Sequence, residues 1–495
     1  MTEAAKKKES VLQGGIWTMV SKIFTQLAQF AIFMVAVRLM TPAEFGIFAL
    51  AAAVIVILTQ VSTAGWPEYI MQWHGGRARI RETLSVAMIC GFTIAVIGVL
   101  GGGFAARVFS DPSVGPLVQI LSISVFFTSV GAAYNGVMVW QNRLTGAAMV
   151  TLLADLANLI VAIWALLQGY GVLALAWGRL VSAVIWSTSG AVVSRTGPSM
   201  VQHETLADTA AFSWKIILTR IVVNVRIYAA TLIIGGFLGA TSVGYFRAAQ
   251  RIVAAFEEIV SEPTRILSWN LFRRSRDAQD GPAGFGALAL RFFPVLYYGA
   301  VPLFIGVIIM ADTLTAGILG PGWEAATPVL RILAIAALIR CSGHASLAIL
   351  TLAGQVWLLP WVTALYSGIA IAAVLAAASF GITAIAMAEV IAATIAFVIN
   401  AVVMKRYAGI AWQTILLKTW AVLPAVALAC VPVVLAERFD LLSGVNDLIR
   451  FILLGLCMMA VFAPAIVVLD KSLWAMLRDR KNARAPAAKG AERSA

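Results

Sequence analysis

The chain has 495 residues, 61% of them hydrophobic and 12% charged, and its mean hydropathy of +0.92 is far above that of a water-soluble domain of this size. A net charge of +13 would suggest nucleic acid in a soluble protein, but this composition excludes one and points to an integral membrane protein, with no nucleic-acid partner expected. The four cysteines (Cys90, Cys341, Cys430, Cys457) stand singly in apolar runs with no CxxC or metal-ligand spacing, so neither a disulfide framework, a metal nor a cofactor is expected.

Apolar runs recur along the whole chain at roughly 20 to 25 residues, about what an α-helix needs to cross a ~30 Å hydrocarbon layer. Barrel strands would be shorter and alternating, so the expected class is all-α. The basic opening "MTEAAKKKES" precedes an apolar stretch that is too long for a signal peptide and lacks a small-x-small cleavage site, so it is read as the first span. Taken in order, the runs predict fourteen spans at 14-38, 45-66, 83-103, 114-138, 147-167, 172-193, 209-235, 241-262, 286-310, 325-352, 357-379, 382-404, 413-436 and 447-469. The termini and even-numbered loops hold 21 of the 36 cations, from Lys6 to Lys8 through Arg77, Arg143, Arg195, Arg273 and Lys405 to the tail, against Arg38, Arg107 and Arg438 in the odd-numbered loops. By the positive-inside rule both termini are expected in the cytoplasm, and an odd span count would scramble the split. Outer loops are short and the largest inner loop is expected at 263-285, which leaves no room for a soluble catalytic domain. The tail 470-495 is rich in Lys, Arg and Ala and is expected to be solvated or to lie on anionic lipid.

A shift of 198 residues lays "MTPAEFGIF" (Met40 to Phe48) over "LGATSVGYF" (Leu238 to Phe246), Gly46 on Gly244 and Lys22 on Arg220. The offset equals six spans. Six is even, so the halves are expected to run parallel as two six-helix lobes, 14-193 and 209-404, joined by a linker at 194-208 and followed by a helix hairpin at 413-469, with 1-13 a cytoplasmic N-terminus.

These features resemble a known family. Gly15, Trp17 and Lys22, the "RLMTPAEFGIF" turn and its counterpart "GFLGATSVGYFRAAQR" are similar to the polysaccharide transport proteins, the Wzx-like flippases of the multidrug/oligosaccharidyl-lipid/polysaccharide (MOP) exporter superfamily. The resemblance covers the full length in span count. It implies a V-shaped pair of lobes around a central cavity that opens alternately to each side, no enzymatic activity, and a polyprenyl-diphosphate-linked oligosaccharide as substrate. A polysaccharide polymerase and chain-length or export proteins are the implied partners besides membrane lipids. A lipid II flippase, another MOP exporter, and a membrane polymerase or ligase are the alternatives.

Twelve cations fall inside the spans, each costing about 2.5 to 3.5 kcal/mol at mid-depth on insertion scales. Lys215 is near a span end and is expected to snorkel. Arg220 and Arg226 are deeper but about 120° apart on the helix, too far for one narrow stripe. Arg247, Arg251 and Glu258 share a face at i, i+4, i+11, as do Thr18, Lys22, Thr25 and Gln29. Together with Arg291, Arg331 and Arg340, the residues Lys22, Arg220, Arg226, Arg247 and Arg251 are the candidate cationic lining for an anionic substrate, since guanidinium binds phosphate through paired charge-assisted bonds. Lys418 is a further span cation. The other reading is an ion-pair seam in which Arg251 and Glu257 or Glu258 meet Arg220. No GxxxxGK[ST] or HExxH occurs and the three histidines are dispersed, so transport is expected to run on an ion gradient, the membrane potential or substrate consumption. Asp155, Glu389 and Glu258 are the candidate ion-coupling acids, with a plain interhelical hydrogen bond the alternative for the first two.

Overall fold

The computed structural model describes residues 3–439, 441–442 and 444–470. These are helical apart from short connections, with no strand among the described residues. Helices α1 (Glu3–Leu39), α2 (Pro42–Thr63), α3 (Trp66–Gln72), α4 (Arg77–Val108), α5 (Val114–Trp140), α6 (Leu144–Leu167) and α7 (Val172–Ser194) come first. A 73-residue helix α8 (His203–Ser275) follows, then α9 (Gly281–Ile309), α10 (Ala311–Ile318), α11 (Ala326–Arg340), α12 (Ser346–Leu352) and α13 (Leu358–Ala377). The chain continues through α14 (Ile382–Ala408), α15 (Trp412–Lys418), α16 (Val422–Arg438) and α17 (Asp447–Leu469). The tail beyond Asp470 lies outside the described residues.

Twelve helices are long and apolar enough to cross a membrane, and thirteen when the bent pair α15 and α16 counts as one span. Gly239 leaves helical geometry inside α8 (φ 79°, ψ 175°), a conformation that glycine reaches without steric cost. Each arm of α8 is roughly 50 Å long, so counting the arms separately makes fourteen spans, as the hydropathy predicts. The protein is a multi-pass membrane protein.

Two local expectations are corrected. The loop expected at 263-285 is mostly helix, because α8 runs through Pro263 to Ser275 and a π-turn (Arg276–Asp280) leads into α9. Proline removes one donor without ending a helix that neighbours support. The first span keeps its expected place at Gln13–Leu39, on a helix that begins at Glu3. Finally, three expected spans are broken: at Ala64 and Gly65 between α2 and α3, at a 3-10 turn (Cys341–Ala345) between α11 and α12, and by 40° between α15 and α16.

The chain divides into two compact units, the first reaching Ala248 and including Val374–Ile382, the second running from Ala249 to Ala373 and onward from Thr383. In the first unit α4 packs on α5, α6 on α7, α5 on α7 and α1 on α6. Small residues bring these helices together, which is how helices associate where lipid removes the hydrophobic drive: a Cβ on Gly102 would come 2.8 Å from the Gly115 carbonyl oxygen. The "TPAE" motif caps α2. Thr41 Oγ1 accepts from the Glu44 amide at 3.3 Å, and the Thr41 amide donates back to Glu44 Oε2 at 2.8 Å. Before α8 the chain is fastened to the start of α4. Arg79 pairs with Asp208 and donates to Thr205 Oγ1 at 2.8 Å, Thr205 donates to the buried Glu82, and the Ser199 amide donates to Ser85 Oγ at 3.1 Å.

The turns related by the 198-residue shift meet inside this unit. A Cβ on Gly46 would fall 1.8 Å from the Ala240 carbonyl oxygen, and one on Gly244 would fall 1.9 Å from the Pro42 carbonyl oxygen. Pro42 and Ala240 are themselves one shift apart, so the contact is reciprocal, as a local two-fold requires. In the second unit, Phe272, Phe285, Phe293 and Trp412 centre one core, and Met310 with the facing sides of α16 and α17 forms another.

Candidate functional site

The charged side chains within the spans separate into those that are paired and those that are not. Arg220, on the first arm of α8, pairs with Glu68 in the first turn of α3 and donates to Thr63 Oγ1 at 3.2 Å in the last turn of α2. Its guanidinium therefore sits at the carboxyl end of one half-helix, while Glu68 sits at the amino end of the next, where the two backbone dipoles favour those charges. Glu68 follows the expected end of span 2, so the sequence reading passed over it. Arg226 is half-buried on the same arm.

In the second unit, Arg340 at the end of α11 grips Glu257 of α8, through Nη2 to Oε2 at 2.9 Å and Nε to Oε1 at 3.3 Å. Glu389 of α14 is close enough for its charge to act on Arg340. Arg331 pairs with Asp312 of α10 and donates to the Ile308 carbonyl at 3.3 Å, both side chains being well exposed. Of the residues in the anticipated seam, Glu257 turns to Arg340 of α11 and Arg220 to Glu68 of α3. Arg251 is half-buried and Arg291 exposed, and neither has an ion-pair partner among the described residues. Glu258, its neighbour on α8, is engaged rather than free.

Two groups of residues in the first unit remain. On α1, Lys22 is exposed with no ion-pair partner among the described residues, and one turn later Thr25 Oγ1 donates to Asp155 Oδ2 of α6. That is the interhelical hydrogen bond weighed for Asp155, made by a member of the polar stripe that carries Lys22. The second group includes a residue that sequence reasoning left unnamed, Arg179 of α7. Its guanidinium carbon lies 5.2 Å from the centre of the Phe48 ring on α2, and its charge also acts on Tyr228 of α8. Arg247, on the second arm of α8, lies 5.2 Å from the centre of the same Tyr228 ring.

Arg179, Phe48 and Arg247 are each six to eight residues into their helices from the α6–α7 turn, the α1–α2 turn and the Gly239 break. That is roughly 10 Å below one face of the layer. Arg179 is exposed and has no carboxylate partner among the described residues. An exposed arginine at this depth in contact with lipid would carry the full insertion cost, so its neighbours on α2 and α8 place it on the polar, interior side of the unit. Two guanidiniums and one tyrosine are thus brought near one another by α7 and the two arms of α8, a donor set suited to an anion with several acceptor oxygens. Nothing in the local pattern of span 6 marks Arg179. The signal that was present was its charge in an otherwise apolar run.

The profile of the family described as "Polysaccharide biosynthesis protein" matches residues 35–328. The succinoglycan biosynthesis transport protein ExoT of Rhizobium meliloti (strain 1021) is 22% identical over 487 residues, covering 95% of this chain and 96% of its own length. The teichuronic acid biosynthesis protein TuaB of Bacillus subtilis (strain 168) is 20% identical over 341 residues, covering 67% and 69%. In fold, the chain is similar to the lipid II flippase MurJ in its inward closed conformation, with a TM-score of 0.72 at 11% identity over 92% of this chain and 99% of that one. An inward-facing multidrug resistance MATE family transporter of the MOP superfamily gives 0.62 at 14% identity, over 78% and 94%.

Proposed function

Because the chain belongs to the polysaccharide biosynthesis protein family and has the fold of MOP-type flippases, we propose that it moves a polyprenyl-diphosphate-linked oligosaccharide repeat unit across the bacterial inner membrane for exopolysaccharide, capsule or O-antigen synthesis. It works by alternating access of two lobes, 14-193 and 209-404, without hydrolysing ATP and without acting as an enzyme. Both termini are cytoplasmic. The observation that carries the reading is the placing of Arg247 over the Tyr228 ring with Arg179, held over the Phe48 ring, within electrostatic range of the same tyrosine. Two fixed cations and a hydroxyl donor match the charge and acceptor oxygens of a diphosphate, and Lys22 on α1 adds a further cation. Arg220, Arg331 and Arg340, which hold carboxylate partners, shape the helices of their own units. The relatives named for succinoglycan biosynthesis transport and teichuronic acid biosynthesis favour an exported polymer over lipid II, since the lipid II flippase is similar in fold alone.

The test is flipping of a fluorescent short-chain polyprenyl-diphosphate-N-acetylglucosamine in liposomes holding the purified chain. Removing one charge-assisted contact costs about 1.5 to 3 kcal/mol, so Arg179→Gln and Arg247→Gln should each slow the initial rate about tenfold or more, with the purified yield unchanged. Lysine at either position should recover part of the rate. Wild-type flipping by the double glutamine variant would sink the proposed site.

A further inference from the structure

The break in the tenth span places a histidine against a half-buried ion pair. His344 stands in the 3-10 turn Cys341–Ala345, one turn beyond Arg340, and its Nε2, itself out of reach of solvent, lies 3.4 Å from Glu257 Oε1. Arg340 holds the other oxygen of the same carboxylate, so one acid is set between a fixed cation and a group that can become one. The titratable and charged groups facing the pair are Arg340 and Cys341 from α11 and its turn, Glu257 from α8 and Glu389 from α14, with Tyr297 of α9 against Ser342. With His344 neutral, two carboxylates face one guanidinium and the cluster carries one net negative charge. A single proton on His344 neutralises it, which matters most where water is scarce.

We propose that His344 and Glu257 form a proton-binding site that couples the proton gradient to transport. The proposal rests on the reading of the chain as a flippase that does not hydrolyse ATP, and it takes the proton gradient as the driving force. The proton enters on Nε2, the imidazolium binds Glu257 Oε1, and Arg340 keeps Oε2, so one carboxylate holds α8 to both sides of the break in span 10. Loss of the proton removes the positive charge from the ring, so the charge-assisted bond to Glu257 falls back to one from a neutral N–H and the turn is held to α8 less tightly. Proton binding favours the closed pair by mass action, so the closed pair gains as pH falls and is lost as pH rises. A metal cation is not the ligand, because arginine and imidazole occupy the directions from which oxygen donors would have to come, and no metal-holding group of His, Cys, Asp and Glu occurs among the described residues.

Two readouts separate the ideas. In lightly buffered detergent solution, wild-type protein should take up one more proton between pH 8 and pH 6 than His344→Gln does. Glu257→Gln, which keeps the imidazole but removes its anion, should move that uptake to lower pH. Unchanged uptake in Glu257→Gln would overturn the site. In liposomes, one coupled proton allows the steady-state distribution of the diphosphate probe to change by up to about tenfold per unit of imposed pH difference, and both variants should abolish the response. A wild-type distribution that ignores the pH difference overturns the gradient-driven reading itself. A wild-type response retained equally in both variants overturns only the assignment of the carrier.

Discussion

Arg220 shows how a single side chain decides what a membrane cation is for. Its apolar surroundings in sequence suggest substrate, but Glu68 and Thr63 bind it at the break between two half-helices. Removing one partner of such a pair leaves the other charge unmatched, which costs more than removing both. Arg220→Gln or Glu68→Gln alone should therefore destabilise the purified protein by about 1 to 3 kcal/mol, and the double variant should recover most of that loss, read as the thermal unfolding midpoint in detergent. If the double variant falls by the sum of the singles, the two residues act independently. Arg179 is the converse case, since it has no carboxylate partner among the described residues and lies over the Phe48 ring of another helix. Residue type made both arginines visible, but only the neighbouring helices separate the structural cation from the candidate for binding.

At the scale of the element, the recurring glycine turn has a physical meaning. Gly46 and Gly244 let α2 and the second arm of α8 touch backbone to backbone, where any Cβ would lie inside the radius of a carbonyl oxygen. Gly46→Val and Gly244→Val should each part those helices and reduce exported polysaccharide severalfold, whereas Gly103→Val, in open space on α4, should leave it near wild type. Equal export by all three would remove the clasp from the mechanism. Gly239 bears on the same region: at φ 79° an alanine is strained, so Gly239→Ala should lower stability by about 1 kcal/mol, with a larger loss for a β-branched residue. The sequence pattern located this turn and its repeat. It did not reveal the breaks in spans 2, 10 and 13, because a short 3-10 or left-handed step leaves hydropathy unchanged over a twenty-residue window.

For the whole molecule, charge along the chain carries the topology. With both termini inside and fourteen spans, reporters fused after Ala408 and after Asp470 should read as cytoplasmic, and one placed between α16 and α17 as external. A reversed reading at Asp470 alone would mean that the last hairpin does not cross. Membrane class, span number and the distribution of cations between loops follow from composition and from sums over windows, so they are legible without any fold. The repeat is legible as well, since it lies in the order of residues. Tertiary structure alone decided that Arg220 belongs to Glu68 and Arg340 to Glu257, that His344 faces that same carboxylate, and that Arg179 and Arg247 share Tyr228. The reason is rotational: a helix that is apolar on every side leaves its turn about its own axis unspecified until its neighbours pack against it.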